Sequence, residues 1–462
     1  MTPQVYGSTR GDCPPLTFQD TVLAGLAPDG GLLIPAAWPD FSAQLKAWSQ
    51  LSYEELAVAV CAPFVDFPPD ALRASFAAAY RSFRQPEIAP VVTVGPVRIV
   101  ELFHGPTLAF KDVALQWLGR LFADVLERRD GRLNILAATS GDTGSAAIAG
   151  VRGLERVRIF VMHPHGRTSP LQALQMTTVL DDNVFNLAVE GTFDDCQGIM
   201  KRIFRDTVFK ERHALGAVNS VNWARVLAQI VYYFYAGLQV LRETGARRLR
   251  FAVPTGNFGD ILAGYYAARL GLPIERLILA TNENDILARF FRTGDYSLDT
   301  VVPTLSPSMD IQVASNFERY LHHRLGDDSA LTRQVMTDFE QHGRLTLPPA
   351  ARAADPLFLA ERGDTPATLA TIRRYYEEYG YLLDPHTAVG VAAAERHLDP
   401  AIPTICLATA HPAKFPDAIR QALGQDCAHH PLLDGLFDAP SRCEIMPADE
   451  ARIRAFVTAH AH

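Results

Sequence analysis

The sequence lacks the features that would direct it to a membrane, an oxidising compartment or a nucleic acid. Its six cysteines, at 13, 61, 196, 406, 427 and 443, form no Cys-x-x-Cys pair, so they suit reduced thiols better than a disulfide framework. Cys427, His429, His430 and Cys443 fit no zinc spacing, and no metal site is expected. There is no basic surplus. Against 43 Lys and Arg stand 51 Asp and Glu, a formal net charge of -8 that argues against nonspecific nucleic-acid binding or a polybasic membrane surface. Any anionic ligand must therefore be held by local donors. The first ten residues carry no apolar core of a signal peptide. The most apolar helical stretch, 226–241, is too short to span a bilayer and contains Gln229 and Gln239, so a cytoplasmic location is expected.

What is present is an enzyme-sized chain whose 462 residues suggest two or three domains. Residues 18–26 and 53–61 have helical patterning, the second opened by a Ser52/Glu55 capping box, and 28–31 reads as a turn. Ser8-Thr9-Arg10-Gly11 reads either as a substrate-facing loop or as a solvated terminal arm. Two short β-branched runs flank Gly95-Pro96. Lys111 then follows the Gly105-Pro106 turn and Phe110 and precedes a helical run, so it lies near a helix start in an apolar setting. A desolvated lysine close to the positive end of a helix dipole has a lowered pKa, and its neutral amine can attack a carbonyl as a Schiff-base former.

From 133 to about 286, short apolar runs at 133–138, 157–162, 184–189, 249–253 and 277–280 alternate with polar or glycine-containing loops and helical patterns. This argues a parallel sheet with helices on its faces, with ligands gathering at the carboxyl ends of the strands. The loop Thr139-Ser140-Gly141-Asp142-Thr143-Gly144-Ser145 brings hydroxyls and glycines to a helix N-terminus. The loop Pro254-Thr255-Gly256-Asn257-Phe258-Gly259-Asp260 opens a second helix and is a ready cradle of backbone N–H groups for a phosphate. It is neither a P-loop nor a Rossmann fingerprint. Asn219, Ser220 and Arg225 open the long helix that runs to Thr244, where Arg225 is placed for an oxyanion; the plainer reading is an N-cap Asn with an exposed Arg. Tyr232 to Tyr235 read as core packing. Residues 365–379 read as a helix, Asp384-Pro385 as a helix N-cap with Pro at the first position, and 402–408 as the strand that delivers Thr409.

Taken in order, residues 104–112, 138–145, 218–225, 254–260, 384–390 and 409–415 resemble the threonine synthases in their longer bacterial and fungal form, as do 8–11 and 29–32. The resemblance spans nearly the whole chain. It implies an α/β fold of the fold type II pyridoxal-phosphate enzymes, tryptophan synthase β-like, with two parallel-sheet domains carrying helices on both faces. The implied division is an appendage at 1–95, a small domain mainly at 96–220, and a large cofactor-binding domain mainly at 221–462 with a helical insertion at about 293–380. Lys111 would carry pyridoxal 5'-phosphate as a Schiff base beside Phe110, and the backbone N–H groups of Gly256, Asn257, Phe258 and Gly259 would hold its phosphate. Thr409 would face the pyridine nitrogen. Asp142 stands where many relatives have Asn against the phenolic oxygen, so it must share a proton or turn toward a backbone donor. Thr139, Ser140 and Thr143 would embrace the substrate, with Asn219, Ser220 and Arg225 closing on its phosphate. The implied reaction converts O-phospho-L-homoserine and water to L-threonine and phosphate. The alternatives are a lyase that stops at 2-oxobutyrate, a threonine or serine dehydratase, and a noncatalytic relative. The resemblance also implies a monomer; no separate regulatory domain is recognisable, so no effector is expected to be needed for activity.

Overall fold

The computed structural model describes residues 4–139 and 141–462. Strands β1 (Tyr6–Ser8) and β2 (Leu33–Pro35) pair antiparallel in the N-terminal segment. β3 (Val91–Val94) and β4 (Val97–Glu101) form a hairpin through Gly95, whose φ of 53° is left-handed. There follow β5 (Leu133–Ala138), β6 (Val157–Pro164), β7 (Val184–Glu190) and β8 (Leu215–Gly216). Then come β9 (Leu249–Pro254), β10 (Ile274–Thr281), β11 (Phe358–Arg362), β12 (Thr404–Ala408) and β13 (Glu444–Pro447). They build a six-stranded sheet in the order β11-β10-β9-β12-β4-β3 and a five-stranded sheet in the order β13-β7-β6-β5-β8. Every pair in these sheets is parallel except the β3–β4 hairpin at the edge.

Side-chain alternation along the strands covers both faces of each sheet. Leu277 and Leu279 point into the main core with Ile261 and Tyr266 of the helix Gly259–Arg269, while Ile278 and Ala280 join a second core with Ala388 and Val391 of the helix Pro385–Glu395. In the other sheet Ile135 and Ile159 belong to the main core, and Leu136 and Phe160 to a third cluster with Ile199 and Ile453. The helices Lys111–Arg128 and Trp223–Thr244 lie in the main core between the sheets, and Tyr53 and Leu56 bring the N-terminal segment onto it. Among the described residues no helix is long and apolar enough to cross a membrane.

The expected division at residues 96 and 220 needs correction in two places. β4, with the lysine-bearing turn that follows it, lies in the six-stranded sheet beside β12, and β13 closes the five-stranded sheet beside β7. Parallel pairing joins strands far apart in the chain, so boundaries read along the sequence do not report it. The Ser8–Gly11 segment is neither substrate-facing nor a solvated arm. Thr9 is fully buried and donates to Glu318, and Arg10 bonds Glu318 and Glu340, so the segment ties the N-terminal part to the insertion.

Candidate active site

Lys111 is set in place by the strand pairing that precedes it. Beyond the carboxyl ends of β4 and β12 the two chains stay together: the N–H of Leu102 donates to Ala408 O at 3.0 Å, that of Phe110 to Thr409 O at 2.8 Å and that of His411 to Leu108 O at 3.0 Å. This holds Phe110 and Lys111 against Thr409. The intervening turn is tight. Leu108 has φ 63°, and the N–H and hydroxyl of Thr107 both donate to Asp112, at 2.8 and 2.7 Å. Gly105 is required there, because a Cβ on it would fall 2.3 Å from that of Asp112. The helix Lys111–Arg128 starts with Phe110 as its N-cap, and the Lys111 ammonium lies 4.7 Å from the centre of the Phe110 ring.

Asp142, the first residue of the helix Asp142–Val151, faces two lysines. Its Oδ1 is 2.9 Å from Lys414 Nζ and its Oδ2 3.7 Å from Lys111 Nζ; Gln172 and Ser308 also donate to it. Burial opposes ionisation of Asp142, but Lys414 and Lys111 outweigh it and hold the carboxyl well below the usual range. The donors to which Asp142 turns are the side chains of Lys414, Lys111, Gln172 and Ser308. Burial lowers the Lys111 pKa, with Lys414 and Arg225 adding to that and Asp142 and Asp112 opposing it.

The second loop supplies free donors. None of the N–H groups of Gly256, Asn257, Phe258 and Gly259 meets a backbone carbonyl among the described residues, and they sit at the start of the helix Gly259–Arg269. Ser308 presses against this loop so closely that a Cβ on Gly256 would come 2.6 Å from its carbonyl oxygen. Phe258 holds a left-handed φ of 62°, unusual for an aromatic residue. Asp260, next in the helix, accepts from the hydroxyls of Tyr232 at 2.6 Å and Tyr233 at 3.1 Å, while its Oδ2 is buried without a partner among the described residues. Burial raises its pKa to about 7, against the two tyrosine hydrogen bonds and Lys111.

Arg225 is not exposed. It lies in the first turn of the helix Trp223–Thr244, capped by Asn222, and is 4% exposed, with Nε and Nη1 unpartnered among the described residues. Burial lowers its pKa to about 10, which leaves it charged at neutral pH. A buried guanidinium with free donors is a site for an anion.

One cavity gathers most of the residues singled out in the sequence. Phe110, Lys111, Asp142, Thr143, Ser220 and Arg225 line it together with Gly256, Asn257, Phe258, Gly259 and Thr409. Thr139 and Asn219 are outside the lining. The Thr139 hydroxyl oxygen accepts from the N–H groups of Gly141 and Gly144 in its own loop, and the Asn219 amide nitrogen is 3.6 Å from where Gly25 would carry a Cβ. Ser140 lies outside the described residues. Sequence reasoning missed Gln229, Asp260, Ser308 and His386 as lining residues. Gln229 was legible as the residue one turn beyond Arg225, on the same helix face. His386 donates through Nδ1 to Asp384 and accepts through Nε2 from the Ser308 N–H, a pairing that only the folded chain reveals.

A lysine with a lowered pKa, free N–H groups at a helix start and unpartnered guanidinium donors fit an aldehyde that carries a phosphate. Fold and pocket together define a fold type II pyridoxal-phosphate-dependent enzyme, and residues 93–406 match the family described as "Pyridoxal-phosphate dependent enzyme". Residues 5–80 match "Threonine synthase N terminus" and 387–457 match "Threonine synthase, C-terminal". The chain is 47% identical to a threonine synthase of Pseudomonas aeruginosa, with 98% of each covered. It is 45% identical to that of Schizosaccharomyces pombe, covering 96% of this chain and 95% of the other. The crystal structure of the pyridoxal-phosphate-bound threonine synthase of Brucella melitensis superposes with a TM-score of 0.95 at 44% identity, over 99% of this chain and 100% of that one. The chain belongs to the threonine synthase family.

Proposed function

We propose that the protein converts O-phospho-L-homoserine and water to L-threonine and inorganic phosphate, with Lys111 as the lysine that carries the cofactor. The observation that carries this reading is Arg225, a buried, charged guanidinium with free donors in the same cavity as a lysine of lowered pKa and a separate loop of free N–H groups. That is donor capacity for two phosphates, one on the cofactor and one on the substrate. Pyridoxal phosphate, when bound, supplies an electron-accepting ring that acidifies the substrate's α and β C–H bonds.

The chain's own groups do the rest. Gly256 to Gly259 would hold the cofactor phosphate through their N–H groups, and Thr409 would offer its hydroxyl to the ring nitrogen. Thr143 receives the substrate at its loop, joined in this reading by Thr139, Ser140 and Asn219. The Lys111 amine takes the α proton, which is handed on before the same amine takes the β proton and delivers it to Cγ; a proton is returned to Cα at the end, and the proton that the added water loses goes to the departing phosphate. Arg225 and Ser220 stabilise the phosphate as its Cγ–O bond breaks, donors fixed before the charge develops. Water adds at Cβ. Six free cysteines support a cytoplasmic setting. A monomer belongs to the same reading, and a light-scattering mass of one chain checks it.

Purified protein incubated with pyridoxal phosphate and O-phosphohomoserine should release threonine and phosphate in equal amounts, and Lys111→Ala should release neither. 2-Oxobutyrate in place of threonine would move the reading to a lyase.

A further inference from the structure

Lys414 lies outside the cavity lining, yet it makes the tighter of the two ion pairs to Asp142. It is 1% exposed, its Nζ 2.9 Å from Asp142 Oδ1, and it donates to the carbonyl of Thr107 at 2.7 Å. Thr107 belongs to the turn that holds Asp112 and so positions Lys111. Lys414 thus bridges the segment after β12, the lysine-bearing turn and the Asp142 helix. Lys111 makes the looser pair, at 3.7 Å.

We propose that Lys414 is a positioning residue that supplies the counter-charge of Asp142, so that the carboxylate orients Lys111 without fixing a proton on its nitrogen. The inference rests on the reading of Lys111 as the cofactor lysine. The physical argument is one of charge. A buried carboxylate within about 4 Å of a single ammonium group stabilises its proton strongly, because the low-dielectric surroundings screen little. A second ammonium on the same carboxylate makes that pair neutral overall and leaves Lys111 facing a dipole instead of a free charge. The other charged or titratable groups facing the two partners do not replace it. Arg225, Asp112 and Asp260 face Lys111, Asp112 also faces Lys414, and His386 faces Asp142 with its Nδ1 proton already committed to Asp384. Burial and the positive charges of Lys414 and Arg225 act together to lower the Lys111 pKa.

The test is the pH dependence of the absorbance of the full chain loaded with pyridoxal phosphate, with Lys111→Ala marking which change depends on that lysine. Lys414→Gln keeps an N–H donor for Asp142 and Thr107 and loses only the charge; Lys414→Met loses both and needs no polar partner, so either can report if the other fails to fold. Both variants should move the midpoint of the Lys111-dependent change upward by about 1 pH unit or more. Adding Asp142→Asn to either should return the midpoint to within about half a unit of wild type, because no unbalanced charge is then left beside the lysine. A midpoint unchanged in Lys414→Gln and Lys414→Met overturns the proposal, as does a raised midpoint that survives Asp142→Asn. Cofactor that borohydride still fixes to Lys111→Ala, or fails to fix to the wild-type chain, overturns the reading of Lys111 instead, and the two failures are thereby distinct.

Discussion

Burying the Arg225 guanidinium without an acceptor costs the fold free energy that no described residue returns. Such a residue is retained for a ligand. Arg225→Met should therefore leave the cofactor-free protein as stable as wild type or more stable, by up to about 2 kcal/mol, in thermal denaturation. The same variant should lose about 100-fold or more in phosphate release, since one preorganised donor of a developing anion is worth that much. Asp260 shows the converse, a carboxyl in the pocket that burial makes harder to ionise. Its folded pKa of about 7 exceeds its ordinary 3.8, so between those values the native state binds more proton than the unfolded chain, and stability falls as pH rises through that window. Asparagine does not titrate and still accepts from Tyr232 and Tyr233. The stability of Asp260→Asn relative to wild type should rise from pH 5 to pH 7 and level off above, as read by denaturation of the cofactor-free proteins across that range.

The Gly256–Gly259 loop is held by residues that lie outside the cavity lining. Phe258 keeps its left-handed conformation because its side chain is buried among Phe291, Phe317, Tyr320 and Phe358, with ring centroids 5.2 to 6.2 Å away. Asn316 clamps the same loop, donating through its N–H and its side chain to Asn257 O and through the side chain to Ser220 O, and Arg319 fixes it by donating to its Oδ1 at 2.8 Å. Arg319 reaches on to Val221 O and Leu33 O, so one fully buried side chain joins the clamp on the Gly256–Gly259 loop, the start of the Arg225 helix and the N-terminal segment. Asn316→Ala should weaken pyridoxal phosphate binding about tenfold or more in absorbance titrations, since Asn257 O then keeps only the backbone N–H of position 316, Ser220 O and Arg319 lose their partner, and the loop's N–H groups are no longer held in line. The elements themselves were largely legible. The sequence expectation for the 133–138 strand and the 365–379 helix matches the structure residue for residue, and Ser52/Glu55 forms its capping box, because period and cap chemistry are local. The clamp was not legible, because Asn316 and Asn257 are joined only by the fold.

In the molecule as a whole, the two sheets put the loops after β5, β9 and β12 around one lysine that follows β4. The sequence already pointed to parallel sheets and to ligands at the carboxyl ends of their strands, and the lining residues come from those ends. It did not show that β4 and β12 run side by side past the sheet, which is what sets Lys111 against Thr409. Nor did it pair Asp142 with Lys414, although both lie in motifs that stand out in the sequence, since residues 272 positions apart in the chain carry no local sign of contact.

The central assertion is that the Cγ–O bond of the substrate breaks and that water adds at Cβ, and turnover of O-phosphohomoserine in water enriched in oxygen-18 tests both at once by mass spectrometry of the products. The expected result is threonine carrying one heavy oxygen in its side-chain hydroxyl, with phosphate that retains the ester oxygen and has gained none. Heavy oxygen in the phosphate, with unlabelled homoserine beside it, would mean that water cleaves the P–O bond, and Lys111 and Arg225 would then not have the roles assigned to them.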